Sequence, residues 1–466
     1  MLFSSSIFLF AFLPIVFILN IILPARSRNF FLLAASLVFY AWGEPFFILL
    51  MLFSITINYC LAILISNASS FRSKQSFLVV AVVLNLVLLG VFKYANFITL
   101  NLTRLTGFDL APASIPLPIG ISFFTFQALS YIIDVYKGSS AAEGNILNVA
   151  LYISFFPQLI AGPIIKHHDI AEQIRARSID AGKISSGIAR FITGLSKKLL
   201  IANILGESAD IIFSSSPSQI GSLSAWAGAL AYTLQIYFDF SGYSDMAIGL
   251  GRMFGFEFKE NFNYPYVSSS MNEFWKRWHI SLTNWFREYL YIPLGGNRNG
   301  TVRTYMNLLT VFLCTGFWHG AEWTFVVWGL SHGAFMMLER SGIIKPESQK
   351  NRLAGKIYTL FVVTVTFTIF RAPDLSFALR YLRTMFSFSA AGEAMLLVTP
   401  EIYSALNISV FIIAVAASLP VIRILRTSMR ARTYDILKYA FSLILLVLCS
   451  FSLAGESFNP FIYFRF

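Results

Sequence analysis

The sequence is poor in charge, in cysteine and in the motifs of soluble enzymes. Only 12% of its 466 residues are charged and 56% are hydrophobic, whereas about 25% of an average soluble domain is charged. An ordinary soluble domain is therefore excluded. The three cysteines lie in apolar runs and form no CxxC pair, which excludes a disulfide framework. The chain also lacks a G-x-S-x-G elbow and zinc motifs such as HExxH, so we predict no bound metal.

Long apolar runs are what the chain has in abundance. Several of them reach about 20 residues, the length of helix that crosses a hydrocarbon core of about 30 Å. They predict an all-α polytopic membrane protein, because the strands of a membrane β-barrel alternate apolar and polar residues. The first run lacks a basic flank and a small-residue cleavage site, so we expect a retained span rather than a signal peptide. The net charge of +12 then indicates basic cytoplasmic loops.

The apolar run over residues 304–340 contains a histidine near its middle, His319. As one helix this run would extend about 55 Å, far more than a bilayer core requires. We therefore predict a break, at the point where Gly316 and Gly320 bracket His319. An ionisable side chain at such a break is a candidate functional residue. The alternative is a neutral imidazole that is hydrogen-bonded between packed helices.

Residues 272–291 have the apolar period of an amphipathic helix. His279 lies on the aromatic face of this predicted helix, and Lys276, Arg277 and Arg287 lie on the opposite face. A membrane-surface helix explains the period but does not require a histidine. His279 is therefore a second candidate, and we expect it to face the same internal cavity as the first.

Two other polar groups leave alternatives open. Asp239 and Asp245 lie within or at the edge of the apolar run 223–250, where a carboxylate is costly unless it is paired. They are either structural or line a polar cavity. The adjacent pair His167 and His168 resembles a metal ligand set, but no carboxylate or third histidine lies at ligand spacing. A solvated cytoplasmic loop is the favoured interpretation of that pair.

The segment 114–138 begins with Pro116, Pro118 and Gly120, which interrupt the start of an otherwise apolar stretch. Proline and glycine at these positions disfavour a helix that spans the membrane in one piece. We predict a partial, re-entrant insertion here.

Five motifs, in order along the chain, resemble those of the membrane-bound O-acyltransferase superfamily: LPIGISFFTFQALSYIIDVYKG, FFPQLIAGPI, FDFSGYSDMAIGLGRMFGF, WKRWHISLTNWFREYLYIPLGGNR and GFWHGAEWTFVVWG. The branch they resemble most is that of the alginate O-acetyltransferase membrane subunit. The likeness covers nearly the whole chain, so we expect one domain over residues 1–466. It implies a ring of about 11–12 transmembrane helices with re-entrant segments around a central tunnel.

The resemblance also implies a reaction. A thioester such as acetyl-CoA would donate an acetyl group on the cytoplasmic side of a bacterial inner membrane, with no permanently bound cofactor. A periplasmic acetyltransferase partner would complete O-acetylation of an extracytoplasmic polysaccharide. The catalytic histidine of the family maps onto His319 in GFWHG, and its second motif histidine maps onto His279 in WKRWH. A neutral histidine suits the base that acyl transfer to a hydroxyl needs.

Two further expectations concern the donor and the C-terminal tail. Lys276, Arg277 and Arg287 should attract a phosphate-bearing thioester, although ordinary cytoplasmic charge also explains them. The tail FNPFIYFRF resembles that of the small partner peptide in D-alanylation systems, which implies that Tyr463 carries the acyl group. An aromatic anchor at the membrane interface is the alternative.

Three rival functions remain open at this point. The acyl group could be D-alanine or another acyl unit within the same superfamily. A transporter or flippase also uses broken helices, although the chain has no inverted repeat. A non-catalytic scaffold of a polysaccharide-secretion system is the third. The sequence does not identify the polysaccharide.

Overall fold

The fold is all-α, as predicted. A computed structural model describes residues 1–108, 115–346, 352–387 and 402–455, and within these ranges it contains helices and no strand. The described residues form two compact units. The first unit comprises the described parts of Met1–Phe191 and Ser244–Lys259, and the second comprises the described parts of Ile192–Tyr243 and Glu260–Phe466. The prediction of one domain over the whole chain stays a prediction.

The first unit is built from helices that are mostly apolar. They are α1, Phe8–Ile22; α2, Ala25–Gly43; α3, Phe47–Asn67; α4, Phe71–Thr106; α5, Ile121–Lys137; α6, Ile146–Ser154; the single turn α7, Phe156–Leu159; and α8, His167–Arg175. The chain continues with α9, Ala181–Ser196, a π-helical turn, Lys197–Ala202, α10, Asn203–Ser214, and α11, Ser222–Met253. Two of the three unit boundaries fall within α9 and α11, and the third follows Lys259.

The remaining helices belong to the second unit. They are α12, Met271–Trp275; α13, Ile280–Phe286, which continues as a π-helical turn, Arg287–Tyr291; α14, Gly300–His319; α15, Trp323–Arg340; α16, Arg352–Arg371; α17, Leu375–Phe386; α18, Ala405–Ala417; α19, Val421–Ser428; and α20, Ala431–Gly455. A buried core of aromatic and aliphatic side chains is shared by α10, α11, α12 and the five helices α14, α15, α16, α17 and α18.

Four of the described helices, α3, α4, α16 and α20, are long and apolar enough to cross a bilayer. The pair α18 and α19, bent by 58°, would make a fifth span if it crosses as one broken element. These helices are those of a multi-pass membrane protein. The ring of about 11–12 helices and its central tunnel stay predictions.

In the segment 114–138 the described residues begin at Ile115 and form the continuous helix α5 from Ile121. Gly120 precedes it with a φ of 78°, and a Cβ at this position would lie 2.7 Å from the carbonyl oxygen of Leu159. Glycine is therefore required both by the left-handed backbone and by the close neighbour. Most side chains of α5 are buried within the protein. The re-entrant path of the segment stays a prediction.

The prediction of a solvated loop at His167 and His168 is wrong. Helix α8 begins at His167, whose ring is buried against Tyr131 and Tyr152 at centroid distances of 4.6 and 5.0 Å. The Nδ1 atom of His168 lies 2.9 Å from Oδ2 of Asp134, a fully buried carboxylate on α5. The sequence pattern missed this partner because the two residues lie far apart along the chain.

The two aspartates of the run 223–250 are both paired with cations. In the second unit, Nζ of Lys198 lies 2.7 Å from Oδ1 of Asp239. In the first unit, Nη2 of Arg190 lies 2.6 Å from Oδ1 of Asp245. Both carboxylates are buried, so these pairs supply the compensation that a buried charge needs. These pairings agree with the structural alternative, and the polar-cavity alternative stays a prediction.

Candidate functional site

The predicted break at His319 is confirmed. Helix α14 ends at His319, and α15 begins at Trp323. Between them, Gly320 has an extended backbone, with φ −169° and ψ 159°. A Cβ at Gly320 would lie 2.1 Å from the ring of Phe325, so that only glycine lets the chain turn so close to this side chain. His319 is thereby fixed at the last residue of a helix.

Gly316, the other glycine that brackets His319, lies within α14 and not in the turn. Its role is close packing. A Cβ at Gly316 would lie 2.4 Å from the carbonyl oxygen of Phe325, and a Cβ at Gly329 of α15 would lie 2.3 Å from that of Phe312. The two glycines therefore allow the backbones of α14 and α15 to pack in direct contact, on either side of the turn that begins at His319.

The side chain of His319 is buried among aromatic rings of the second unit. Its ring centroid lies 5.1 Å from that of Trp318, 5.0 Å from that of Trp328 and 5.3 Å from that of Phe370. Trp328 belongs to α15 and Phe370 to α16, so three helices converge on the imidazole. Because only 5% of the residue is exposed, bulk water has little access to it. Such an enclosure strengthens any electrostatic interaction of the imidazole.

The prediction of one helix over residues 272–291 is wrong. Helix α12 ends at Trp275, and α13 starts only at Ile280. His279, between them, adopts left-handed backbone angles of φ 42° and ψ 54°, which an α-helix cannot continue through. The broken backbone is satisfied elsewhere: the N–H of Ile280 donates to the carbonyl of Asn261 at 2.9 Å, and the N–H of Asn263 donates to that of Arg277 at 2.9 Å.

The ring of His279 is fully buried within the second unit. Its centroid lies 4.6 Å from the ring of Phe240, edge-on, and 5.8 Å from the ring of Trp318. Trp318 therefore contacts both candidate histidines, because it also lies against His319. The structure brings the two predicted residues to the same indole ring. A cavity shared by them stays a prediction.

The polar contacts of His279 involve only one of its ring nitrogens. Nδ1 lies 3.2 Å from Oδ1 of Asn261 and 3.4 Å from Oγ of Ser281. Nε2 is buried, with no hydrogen-bond partner among the residues that the structure describes. Burial lowers the pKa of His279 to about 3, so the ring is neutral at neutral pH. A buried ring nitrogen without a protein partner is unusual and is a candidate for a hydrogen bond to a ligand or a water molecule.

The three predicted donor-binding cations differ in their surroundings. Arg277 is engaged within the protein: its Nη2 lies 2.8 Å from Oε1 of Glu273, and its Nη1 donates to the carbonyl of Asn263 at 3.0 Å. Lys276 and Arg287 are exposed, and their side chains have no ion-pair partner in the described parts of the chain. The binding of a donor by any of the three cations stays a prediction.

Sequence reasoning missed another buried histidine of the second unit, His332, which lies in the same apolar run as His319. Nε1 of Trp275 donates to its Nδ1 at 3.3 Å, and its Nε2 lies 3.0 Å from Oγ1 of Thr366. Its ring also lies 4.9 Å from that of Trp328, a neighbour of His319. His332 thus connects α12, α15 and α16 behind the site. Its position inside an apolar run was the only signal in the sequence.

Tyr463 lies outside the described residues, so its role as an acyl carrier stays a prediction.

Comparison with known proteins gives the family directly. The family model described as MBOAT, membrane-bound O-acyltransferase family, matches residues 137–370. This range includes both candidate histidines and the turn between α14 and α15. The match therefore covers the part of the chain that builds the site.

Three relatives illustrate the range of similar proteins. A protein of Azotobacter vinelandii named "probable alginate O-acetylase AlgI" is 47% identical over 393 residues, covering 83% of this chain and 78% of the relative. The peptidoglycan O-acetyltransferase of Helicobacter pylori is 36% identical over 420 residues, which cover 83% of this chain and 80% of the relative. A teichoic acid D-alanyltransferase of Streptococcus thermophilus is 27% identical over 285 residues, which cover 54% of this chain and 68% of the relative. All three names specify acyl transfer.

Proposed function

Because the chain belongs to the membrane-bound O-acyltransferase family, and so is an O-acyltransferase, we propose that it transfers an acetyl group to an extracytoplasmic polysaccharide. The acetyl group comes from a cytoplasmic thioester and crosses the bacterial inner membrane at this protein. An alginate-like exopolysaccharide or a cell-wall glycan is the acceptor. The names of the Azotobacter and Helicobacter relatives support both the acetyl group and this class of polymer.

The observation that carries the proposal is the burial of His319 at a helix break, enclosed by Trp318, Trp328 and Phe370. In the proposed step the neutral imidazole takes the proton of an acceptor hydroxyl. The hydroxyl oxygen forms a bond to the carbonyl carbon of the thioester, and the carbon–sulfur bond breaks. The leaving thiolate then takes up the proton from the imidazolium. No further co-reactant is needed, and the acyl group ends on oxygen.

His279 contributes to the same step through Trp318, the ring that both histidines contact. It orients the donor or the acceptor, or polarises the thioester carbonyl. Its burial next to Phe240 supplies the rigid, water-poor surroundings in which one hydrogen bond has a large effect on rate.

The donor approaches the basic segment that precedes α14. Lys276 and Arg287 are exposed and available to the phosphates of acetyl-CoA or of a phosphopantetheine arm, while Arg277 holds Glu273 in place. Cations near the entrance of a site raise the local concentration of an anionic ligand. No cofactor is retained in this scheme, because the thioester is consumed as a substrate.

A tyrosine relay would link the two faces of the membrane. In this scheme the phenol of Tyr463 is the first acceptor, and a periplasmic transferase passes the acetyl group on to the polysaccharide. A phenol, with a pKa of about 10, is a better leaving group than a sugar hydroxyl. Tyr463→Phe keeps the aromatic ring and removes only the hydroxyl, so polysaccharide acetylation should be lost. Wild-type acetylation in that variant would leave the tail as an interfacial anchor.

D-alanyl transfer is the second candidate function, supported by the 27% identical teichoic acid D-alanyltransferase. It would use the same two histidines with a D-alanyl thioester on a carrier protein. The higher identity to the alginate-type relative favours acetyl transfer.

Thioester consumption by the purified protein tests the proposal. The protein, reconstituted in lipid nanodiscs, is supplied with acetyl-CoA and the release of free thiol is followed. The same preparation is supplied with a D-alanyl-carrier protein. We expect thiol release with acetyl-CoA. Release only with the carrier protein would support D-alanyl transfer, and no release with either donor would favour a transporter or a scaffold.

A further inference from the structure

The side-chain amide of Asn261 has a defined orientation. Its Oδ1 atom lies 3.2 Å from the backbone N–H of Ser281 and 2.8 Å from the Oγ of the same residue. A backbone N–H can only donate, so the atom that faces it must be the amide oxygen. The contacts therefore place the oxygen, rather than the NH₂ group, toward the turn that carries His279.

This orientation determines where the proton of the neutral imidazole lies. Oδ1 of Asn261 only accepts, so the Nδ1 atom of His279, 3.2 Å away, must donate to it. The hydroxyl of Ser281 lies nearer to Asn261 Oδ1, at 2.8 Å, than to His279 Nδ1, at 3.4 Å, and so donates to the amide. A neutral histidine has one N–H, which leaves the lone pair on Nε2.

The backbone around His279 is held by the same asparagine. The backbone carbonyl of Asn261 accepts a hydrogen bond from the N–H of Ile280 at 2.9 Å, and its side-chain Oδ1 accepts one from Nδ1 of His279. His279 and Tyr264 are the non-glycine residues with positive φ in the described ranges of the chain. A strained backbone of this kind persists where its surroundings determine it, and it often marks a functional residue.

His332 provides an internal contrast in the same unit. Trp275 Nε1 can only donate, so the Nδ1 of His332 that it contacts at 3.3 Å is an acceptor. The proton of His332 therefore lies on Nε2, which donates to Oγ1 of Thr366 at 3.0 Å. That hydroxyl donates in turn to the carbonyl of Val362 at 2.8 Å. Both nitrogens of His332 are used inside the protein, whereas Nε2 of His279 is not.

We propose that Asn261 is a positioning residue of the acyltransfer site, which holds His279 as the Nδ1–H tautomer and leaves Nε2 as a hydrogen-bond acceptor for the substrates. This deepens the proposed function and rests on it. His279 then does not polarise the thioester carbonyl, because a carbonyl oxygen needs a donor. Its partner is a donor group of the substrates, such as an amide N–H of a pantetheine arm, because the one proton of the attacking hydroxyl goes to His319.

The protonation state of the ring agrees with this role. Burial lowers the pKa of His279 to about 3, so the doubly protonated ring, which could donate from Nε2, is not formed near neutral pH. The tautomer rather than the charge is therefore what Asn261 controls.

Solid-state NMR of the wild-type protein tests the tautomer directly. The chain has five histidines, and histidine labelled with ¹⁵N in bilayers gives separate signals for protonated and unprotonated ring nitrogens. Subtraction of the spectra of His279→Gln and His332→Gln assigns the two rings. We expect Nδ1–H for His279 and Nε2–H for His332. An Nε2–H tautomer at His279 would overturn the proposal, even in an active enzyme.

Substitution of Asn261 tests its effect on the reaction. In Asn261→Ala the hydroxyl of Ser281 can donate to Nδ1, so the ring should change to the Nε2–H tautomer. The rate constant kcat should then fall by about 10²-fold or more, with a smaller change in KM. Asn261→Gln, which retains an amide oxygen, should recover part of the rate. Unchanged kcat and tautomer in folded Asn261→Ala would refute the proposal.

The two proposals fail in different ways. An inactive wild-type protein would contradict the acyltransfer function, while the NMR measurement would still test the tautomer. If the Asn261 variants do not fold, the wild-type spectrum alone decides.

Discussion

Gly329 of α15 lies directly against Gly316 of α14. A Cβ at Gly329 would come within 3.1 Å of the Cα of Gly316 and 2.3 Å of the carbonyl oxygen of Phe312. The two helices can approach this closely only because neither glycine has a side chain. This contact sets the geometry of the short turn that begins at His319.

Gly329→Ala should therefore destabilise the protein. The added methyl group overlaps backbone, which cannot move aside as a flexible side chain can, so we expect a loss of about 1–3 kcal/mol in the free energy of unfolding. Thermal unfolding in detergent measures the effect. Gly90→Ala is the matched control, because its Cβ would meet nothing within 4 Å. Equal melting temperatures for the two variants would contradict the packing role of Gly329.

The buried pair of Lys198 and Asp239 should behave as a coupled unit. Lys198→Met or Asp239→Leu alone leaves a buried charge, and we expect each to cost about 3–5 kcal/mol. The double variant removes both charges and should be markedly more stable than the less stable single variant. A double-mutant cycle on unfolding free energies tests this. Additive losses would show that the two charges do not stabilise each other.

His167 should make stability depend on pH. Burial lowers its pKa to about 4, from 6.5 in an exposed histidine. Below about pH 6.5 the unfolded chain binds a proton that the folded chain excludes, so stability should fall as the pH drops from about 6.5 toward about 4. Between about pH 7.5 and about pH 5 this group should contribute a loss of about 2 kcal/mol. Unfolding midpoints across this range measure it.

The His167→Gln variant separates this contribution from that of other groups. Glutamine can retain a hydrogen bond to Ser140, whose Oγ lies 2.8 Å from Nδ1 of His167, but it does not titrate. The variant should lose less stability on acidification than the wild-type protein does. An identical pH dependence in the two proteins would assign the effect to other groups.

Lys276 and Arg287 should steer the donor. Lys276→Ala and Arg287→Ala should raise KM for acetyl-CoA and weaken its dependence on salt between about 0.05 and about 0.5 M. Arg277→Ala should act differently, through the loss of the contact with Glu273 and hence through stability. Initial rates at several salt concentrations measure the steering. A wild-type KM that does not change with salt would exclude electrostatic attraction of the donor.

The sequence predicted the helical class and the break at His319 because both depend on local composition. The run 304–340 is too long for one span, and glycine precedes and follows its histidine. The close packing of Gly316 was not predictable, since it depends on where α15 returns along α14. In the sequence alone, a glycine at a bend cannot be distinguished from a glycine at a contact between two helices.

The errors at His279 and at the pair His167 and His168 have a different origin. The apolar period around His279 fits a helix, but a left-handed residue other than glycine has no sequence signature. The pair at 167 and 168 appears polar and exposed until Asp134 and the neighbouring tyrosines cover it. In each case the deciding partner comes from a distant part of the chain, which a single sequence does not reveal.

In the proposed reaction, His319 is the base of an acyltransferase. This role is tested most directly by thiol release from acetyl-CoA in nanodiscs, comparing the wild-type protein with His319→Ala and His332→Ala, whose histidine has both nitrogens hydrogen-bonded inside the protein. With folded protein confirmed by gel filtration, His319→Ala should lower the rate about 10²–10⁴-fold, and His332→Ala should lower it far less per folded molecule. A His319→Ala protein that releases thiol at the wild-type rate would contradict the role of His319 as the base.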